Sequence, residues 1–110
     1  MNSPSLRLFH PLFRPGRIFV SPAALQVLRT AGVSPVELVL RHVSGDWGNL
    51  SDSDRRQNEL SVEAGLRLLS SYDLPTGQSV WVITGWDRSA TTILVPDDSP
   101  SNVIAHAGGA

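Results

Sequence analysis

Two helices are predicted near the start of the chain from helical apolar spacing and from twin start signals. Ser21-Pro22 and Ser34-Pro35 each supply an N-cap serine followed by proline at the first helical position, where the missing amide of proline costs nothing. Gly32 is a typical end for the first helix. The apolar residues of that helix are Ala24, Leu25, Val27 and Leu28.

The second helix carries one continuous apolar face. That face comprises Val36, Val39, Leu40 and Val43, which are spaced by three or four residues. Residues at this spacing lie on one side of an α-helix. We therefore expect these four side chains to be buried against a sheet, with Leu40 as a core residue.

A third helix is predicted over residues 52–64. Ser51 is a suitable N-cap, and Asp52 and Asp54 complement the positive end of the helix dipole. Gly65 is the expected end. The apolar face is thin, with Leu60, Val62 and Ala64.

From residue 66 the apolar spacing changes to a period of two, which is typical of β-strands. Three strands are predicted at residues 66–72, 79–84 and 91–95, with turn residues between them. They should form an antiparallel meander. Residues 17–20 are a candidate fourth strand.

Together these elements predict an α+β fold, in which a helical pair and a weaker third helix pack on a three- or four-stranded antiparallel sheet. The domain spans residues 17–96. Residues 1–16 contain three prolines and should form an irregular arm that packs Phe9 and Phe13 on the domain. Residues 97–110 lack apolar periodicity and are predicted to be a disordered tail.

The composition narrows the function classes. The chain has 110 residues, and its nine basic residues, all Arg, nearly balance ten acidic ones to a net charge of -1. This argues against nucleic-acid binding through bulk charge. The absence of cysteine excludes disulfides and thiol catalysis. No apolar run reaches the length of a membrane helix, so we expect a cytoplasmic protein with no membrane partner.

Residues 41–48 form the densest group of chemically active side chains. His42 and Asp46 could pair across the end of the second helix as a general base and its orienting carboxylate. Alternatively, His42 interacts with the helix dipole and Trp47 fills the core. We expect the Asp46 carboxylate to raise the pKa of His42.

The predicted turn at residues 87–90 supplies a second group. Arg88 could bind a carboxylate or phosphate, or it could be part of the local turn structure with Asp87. Trp81 and Trp86 should point to opposite faces of their strand, and Trp86, beside the turn, is the one expected to meet a partner. We further predict that His42, Asp46 and Arg88 form one polar cluster above a buried Trp47.

The candidate binding residues are Arg41, His42, Asp46, Trp47, Trp86, Asp87 and Arg88, and the candidate catalytic residues are His42, Asp46, Asp54 and Arg88. Motifs for nucleotides, dinucleotides, serine hydrolysis and zinc proteolysis do not occur. The histidines at 10, 42 and 106 are too scattered for a convincing metal site. We therefore expect no cofactor and no metal.

The motif string resembles a family of small proteins from proteobacterial plasmids and integrated elements. The matching letters are RH..GDWG at 41–48, WVIT at 81–84 and DRS.TTIL at 87–94. The resemblance covers residues 17–96 and implies a genetic setting rather than a mechanism. Some members are labelled type I restriction subunits, but this chain has no motif for methyl transfer or cleavage. Gly85 stands where the family pattern has Glu, and this departure argues against an enzyme.

These observations favour a small interaction protein of a mobile element that binds a protein partner stoichiometrically. Its target would be a host defence or plasmid-maintenance component, and a homodimer is left open. The alternative is a small hydrolase or nuclease-like enzyme built on His42, Asp46, Asp54 and Arg88. That alternative requires the four residues to converge on one pocket.

Overall fold

A computed structural model describes residues 10–96. This part of the chain contains four strands and three helices. In chain order they are β1 (Arg17–Val20), α1 (Pro22–Ala31), α2 (Pro35–Val43), α3 (Asp52–Ala64), β2 (Leu68–Asp73), β3 (Ser79–Thr84) and β4 (Ala90–Leu94). The α+β class and the order of elements are confirmed.

The helix boundaries lie where the sequence signals predict them. The hydroxyl of Ser21 accepts a hydrogen bond from the Ala24 amide, and Ser51 caps α3 in the same way. Gly32 and Gly65 end α1 and α3 with φ values of 71° and 70°. That left-handed conformation is readily adopted only by glycine.

The sheet has the order β1-β4-β3-β2 and is mixed. Strands β2, β3 and β4 form the expected antiparallel meander, but β1 pairs with β4 in parallel. The prediction of a purely antiparallel sheet was therefore wrong. Three helices and two strands separate β1 from β4 along the chain, so no hairpin dictates their relative direction.

One face of the sheet is covered by α1 and α2. The core between them comprises Ala24, Leu28, Leu38, Val39, Val43, Tyr72, Leu74, Val80, Val82, Ile93 and Val95. Alternate residues of β3 are buried, and the others are only half-buried. The second face of the sheet is consequently less well covered than the first.

The predicted apolar face of α2 is only half correct. Val39 and Val43 are buried, but Val36 and Leu40 are 64% and 48% exposed. Leu38 and His42 are buried in their place. Relative to the predicted orientation, the helix is rotated about its axis. This rotation turns the polar His42 inwards, towards hydroxyl groups on the strands.

Helix α3 also differs from its predicted packing. Leu60 is 63% exposed and Ala64 is exposed, whereas Asn58 and Ser61 are buried. This helix lies beside the edge of β2, where backbone groups need polar partners rather than apolar ones. Its thin apolar face is therefore consistent with its position.

The described part of the N-terminal arm packs on the domain. The Leu12 amide donates to the Val43 carbonyl over 2.7 Å, and Phe13 is half-buried against the core. Phe9 and the predicted tail at 97–110 lie outside the described residues.

Among residues 10–96, no single helix is long and apolar enough to cross a membrane. Helices α1 and α2 reach that length and composition only as a pair, and the pair is bent by 100°.

Candidate functional site

Asp46 folds back on its own helix end. Its carboxylate accepts a hydrogen bond from Arg41 Nε over 2.6 Å and another from the Gly48 amide over 3.1 Å. The Arg41 guanidinium in turn stacks over the Tyr72 ring at 4.4 Å. The bond to Arg41 lowers the pKa of Asp46. Asp46 thus closes a local turn with Gly48 and is a surface ion-pair partner of Arg41.

His42 is fully buried, and both of its ring nitrogens are hydrogen-bonded. Nδ1 lies 2.6 Å from the Ser70 hydroxyl, and Nε2 lies 2.9 Å from the Thr84 hydroxyl. Thr84 is 2.6 Å from Thr91, whose hydroxyl donates to the Pro15 carbonyl over 2.7 Å. The result is a continuous polar chain through the core.

The direction of this chain fixes the tautomer of His42. A carbonyl oxygen can only accept, so Thr91 donates its one proton to Pro15 and must accept from Thr84. Thr84 has then used its proton and must accept from Nε2 of His42. Nε2 therefore carries the ring proton, and Nδ1 accepts from Ser70.

This environment favours the neutral imidazole. Burial lowers the pKa of His42 from 6.5 to about 3, and the positive charge of Arg88 acts in the same direction. The expectation that Asp46 raises this pKa was wrong, because the Asp46 carboxylate bonds to Arg41 at the surface rather than to the ring. At neutral pH, His42 is an uncharged part of the core.

Trp47 is buried, as predicted. Its indole nitrogen donates to the Glu59 carboxylate on α3 over 2.9 Å. Its ring stacks on Phe13, with centroids 6.3 Å apart, and meets the edge of His42 at 5.9 Å. Trp47 thus joins the arm and α2 in one cluster of rings and is hydrogen-bonded to α3. It presents little surface to a partner.

Arg88 binds backbone oxygens rather than a carboxylate. Its guanidinium donates to four carbonyls, those of Ser61, Gly85, Trp86 and Leu66, at 2.6 to 3.2 Å. It also lies 5.5 Å from the centre of the Phe13 ring. Burial lowers the pKa of Arg88. Arg88 therefore ties the end of α3 to the β3–β4 turn.

The predicted cluster of His42, Asp46 and Arg88 does not form. Within residues 10–96, no hydrogen bond or ion pair joins any two of the four catalytic candidates, including Asp54. His42 is inside, Asp46 pairs with Arg41, and Asp54 is exposed on the first turn of α3. In the described chain these residues therefore bond to other partners rather than to one another.

One depression on the described surface carries no reactive group. That depression lies between α1 and the β2–β3 turn and is lined by Ala23, Gln26, Val27, Thr30, Thr76 and Gln78. None of these side chains is titratable in the physiological range. In residues 10–96, no group of His, Asp or Glu is arranged to hold a metal ion.

The β3–β4 turn, residues 85–89, holds the exposed tryptophan. Trp86 is 70% exposed. The Asp87 carboxylate accepts hydrogen bonds from the Ser89 amide and hydroxyl at 3.1 and 2.8 Å. The hydrogen bond from the Ser89 amide lowers the pKa of Asp87. We call residues 85–89 the hairpin tip. Its exposed aromatic ring was predicted, whereas the role of Arg88 in fixing it was not.

Three hydroxyl residues of the polar chain that contains His42 were not predicted from the sequence. Ser70, Thr84 and Thr91 all lie at inward-facing positions of their strands and are fully buried. Alternation in β2 places Ser70 between Leu68 and Tyr72 on the core face. A polar residue at such a position signals a buried partner, and that signal was available.

Comparison of the chain with protein-family models, curated proteins and solved structures finds no match.

Proposed function

We propose that this protein binds another protein stoichiometrically and that the hairpin tip is its principal contact. The observation that carries the proposal is the exposure of Trp86, the most exposed large apolar side chain in residues 10–96. Tryptophan is enriched among the residues that dominate binding energy at protein interfaces. An isolated ring of this size in water is a suitable anchor for a complementary pocket.

The backbone that carries Trp86 is held in place before any partner arrives. The carbonyl of Trp86 accepts a bond from Arg88, and the Arg88 amide donates to Gly85 over 3.0 Å. Asp87 and Ser89 close the other side of the turn. A preorganised loop loses less conformational entropy on binding, which favours affinity.

The surroundings of the hairpin tip have the composition of an interface. Arg88 binds the Leu66 carbonyl, which places the exposed Leu66 and Arg67 on the same side of the molecule as the turn. Interfaces are enriched in aromatic residues and Arg. Trp86, Leu66 and Arg67 together offer an apolar contact with a cationic border.

The genetic setting belongs to the same proposal. The resemblance to proteins of plasmids and integrated elements supports a binding role within a mobile element, directed at a host defence or plasmid-maintenance component. The enzyme alternative gains no support from the geometry, because His42 is out of reach of any substrate and Arg88 is occupied by carbonyls.

The proposal is tested with a matched pair of variants, Trp86→Ala and Leu60→Ala. Both side chains are large, apolar and more than 60% exposed, at 70% and 63%. The immobilised 110-residue chain captures partners from a lysate of the organism that carries the gene, and the captured protein is purified. Calorimetry then gives the affinity and the stoichiometry for each variant.

Trp86→Ala should weaken binding by a factor of about 30 or more, as expected for an interface hot spot, at a stoichiometry that is a simple ratio. Leu60→Ala should bind as the parent does, and both variants should unfold at the parent's temperature. Equal affinity of Trp86→Ala and the parent protein would refute the hairpin tip as the contact.

A further inference from the structure

The two edge strands of the sheet, β2 and β1, differ in whether residues 10–96 bond to their outward-facing backbone groups. At the β2 edge, the Ser71 amide donates to the Trp47 carbonyl, and the Ser71 carbonyl accepts from Asn49 over 2.6 Å. The Asn58 side chain bonds to both the amide and the carbonyl of Leu69, at 3.2 and 2.6 Å. The Asn58 side-chain amide therefore makes the hydrogen bonds that a neighbouring strand would make to Leu69. The outward-facing backbone groups of Leu69 and Ser71 at this edge are thus occupied.

Within residues 10–96, the β1 edge has no such cover. The amides of Arg17 and Ser21 donate hydrogen bonds to the carbonyls of Ser89 and Ile93, on the β4 side of β1. Successive residues of a strand point their backbone N–H and C=O groups to opposite sides. The N–H and C=O groups of Ile18 and Val20 therefore point away from β4, to the free edge of the sheet. In the described chain no residue bonds to them there. Ile18 and Phe19 are also 43% and 50% exposed.

We propose that the β1 edge pairs antiparallel with β1 of a second copy of this chain, about a two-fold axis at Phe19. Ile18 then faces Val20 of the second copy, and the reverse pair completes four backbone hydrogen bonds. The two four-stranded sheets become one sheet of eight strands. This inference rests on β1 alone and does not depend on the hairpin tip.

The side chains of β1 suit this arrangement. Phe19 meets Phe19 of the second copy in a non-hydrogen-bonded pair, where Cα atoms are only about 4.5 Å apart and aromatic pairs stabilise the sheet. Arg17 is the one charged residue of β1, and this register places it opposite Ser21 of the second copy. The two Arg17 residues lie four positions apart, roughly 13 Å, beyond the screening length of about 8 Å at physiological salt.

The size of the contact sets its strength. A four-residue strand supplies less area than the roughly 1,200 Å² of a standard interface. Contacts of that size are weak and reversible. The dimer should therefore form in a concentration-dependent way rather than permanently.

The test uses reciprocal charges at the two-fold axis. Phe19→Lys and Phe19→Glu each place like charges opposite one another, which destabilises a cross-strand pair, whereas a mixture of the two places opposite charges there. Leu60→Lys is the control, since Leu60 is also exposed, at 63% against 50% for Phe19, but lies on α3. Sedimentation equilibrium of the full chain from micromolar to millimolar concentration gives the mass of each sample.

The parent protein and Leu60→Lys should approach twice the monomer mass at the highest concentrations. Phe19→Lys and Phe19→Glu should remain monomers when alone, and their equimolar mixture should recover the dimer. Hydrogen exchange at the Ile18 and Val20 amides should slow as the concentration rises. Circular dichroism of each variant establishes that it is folded.

A parent protein that stays monomeric at every concentration would overturn the proposal, as would a dimer that persists in Phe19→Lys. A monomer that binds a different protein, and loses it in Phe19→Lys, would assign the β1 edge to a partner strand and would also refute the second copy. Loss of binding in Trp86→Ala with an unchanged dimer would leave this inference intact and separate it from the proposed function.

Discussion

His42 shows how one polar residue sets the orientation of a helix. Helix α2 has apolar residues on more than one side, so its sequence permits two buried faces. The chosen face buries Leu38 and leaves Leu40 half exposed, since only this rotation brings His42 to Ser70 and Thr84. The two hydroxyl groups that bond to His42 lie 28 and 42 residues away in sequence, which is why apolar spacing alone predicted the wrong face.

Truncations in α2 distinguish the two faces. Leu38 is 1% exposed and Leu40 is 48% exposed. Leu38→Ala removes a fully buried side chain and should lower the free energy of unfolding by about 2–5 kcal/mol. Leu40→Ala should lower it by less than about 1 kcal/mol. Urea unfolding of both variants measures the difference, and a larger loss for Leu40→Ala would mean that the other face is the core.

At the scale of elements, local signals were sufficient for boundaries but not for pairing. The N-cap serines and the terminal glycines act within a few residues, so the ends of α1 and α3 were predicted correctly. The parallel pairing of β1 with β4 depends on how three intervening helices pack. No local signal specifies that direction.

The candidate site likewise has some features that local sequence predicts and others that depend on tertiary packing. The exposure of Trp86 and the burial of Trp47 follow from their positions beside a turn and at a helix end. The carbonyls that surround Arg88 come from α3, the segment after it and the hairpin. Only the assembled fold reveals that this arginine is a clamp rather than a ligand-binding residue.

The clamp is tested by Arg88→Lys. A lysine ammonium cannot reproduce the planar, forked donors that serve four separate carbonyls. Losing hydrogen bonds at part-buried carbonyls should lower the free energy of unfolding by about 1–3 kcal/mol. Arg56→Lys, on the exposed side of α3, is the control and should change it by less than about 0.5 kcal/mol. Equal stability of the two variants would refute the clamp.

For the molecule as a whole, the buried histidine couples folding to pH. The pKa of His42 is about 3 in the folded protein and 6.5 as a free side chain. Between these values the unfolded chain binds more protons, so stability is fully present above pH 6.5 and falls as the pH is lowered. The limiting slope is about 1.4 kcal/mol for each pH unit.

Urea unfolding between pH 7 and about pH 4.5 isolates this effect, since unperturbed carboxylates titrate mainly below that range. The parent protein and His10→Ala, which alters an exposed histidine, should lose stability alike on acidification. His42→Gln should be less stable at pH 7 but nearly independent of pH in this window. A parent protein with constant stability over the same range would contradict the burial of a neutral His42.

The central claim is that His42 is a neutral, hydrogen-bonded part of the core rather than a reactive group. The most direct test is a proton–nitrogen NMR titration of the His42 ring in the folded 110-residue chain. Nε2 should carry the proton at neutral pH, and the ring should stay neutral from pH 7 down to the onset of acid unfolding, in accord with a pKa of about 3. A ring that titrates in the folded state near 6.5, or that carries its proton on Nδ1, would contradict the account.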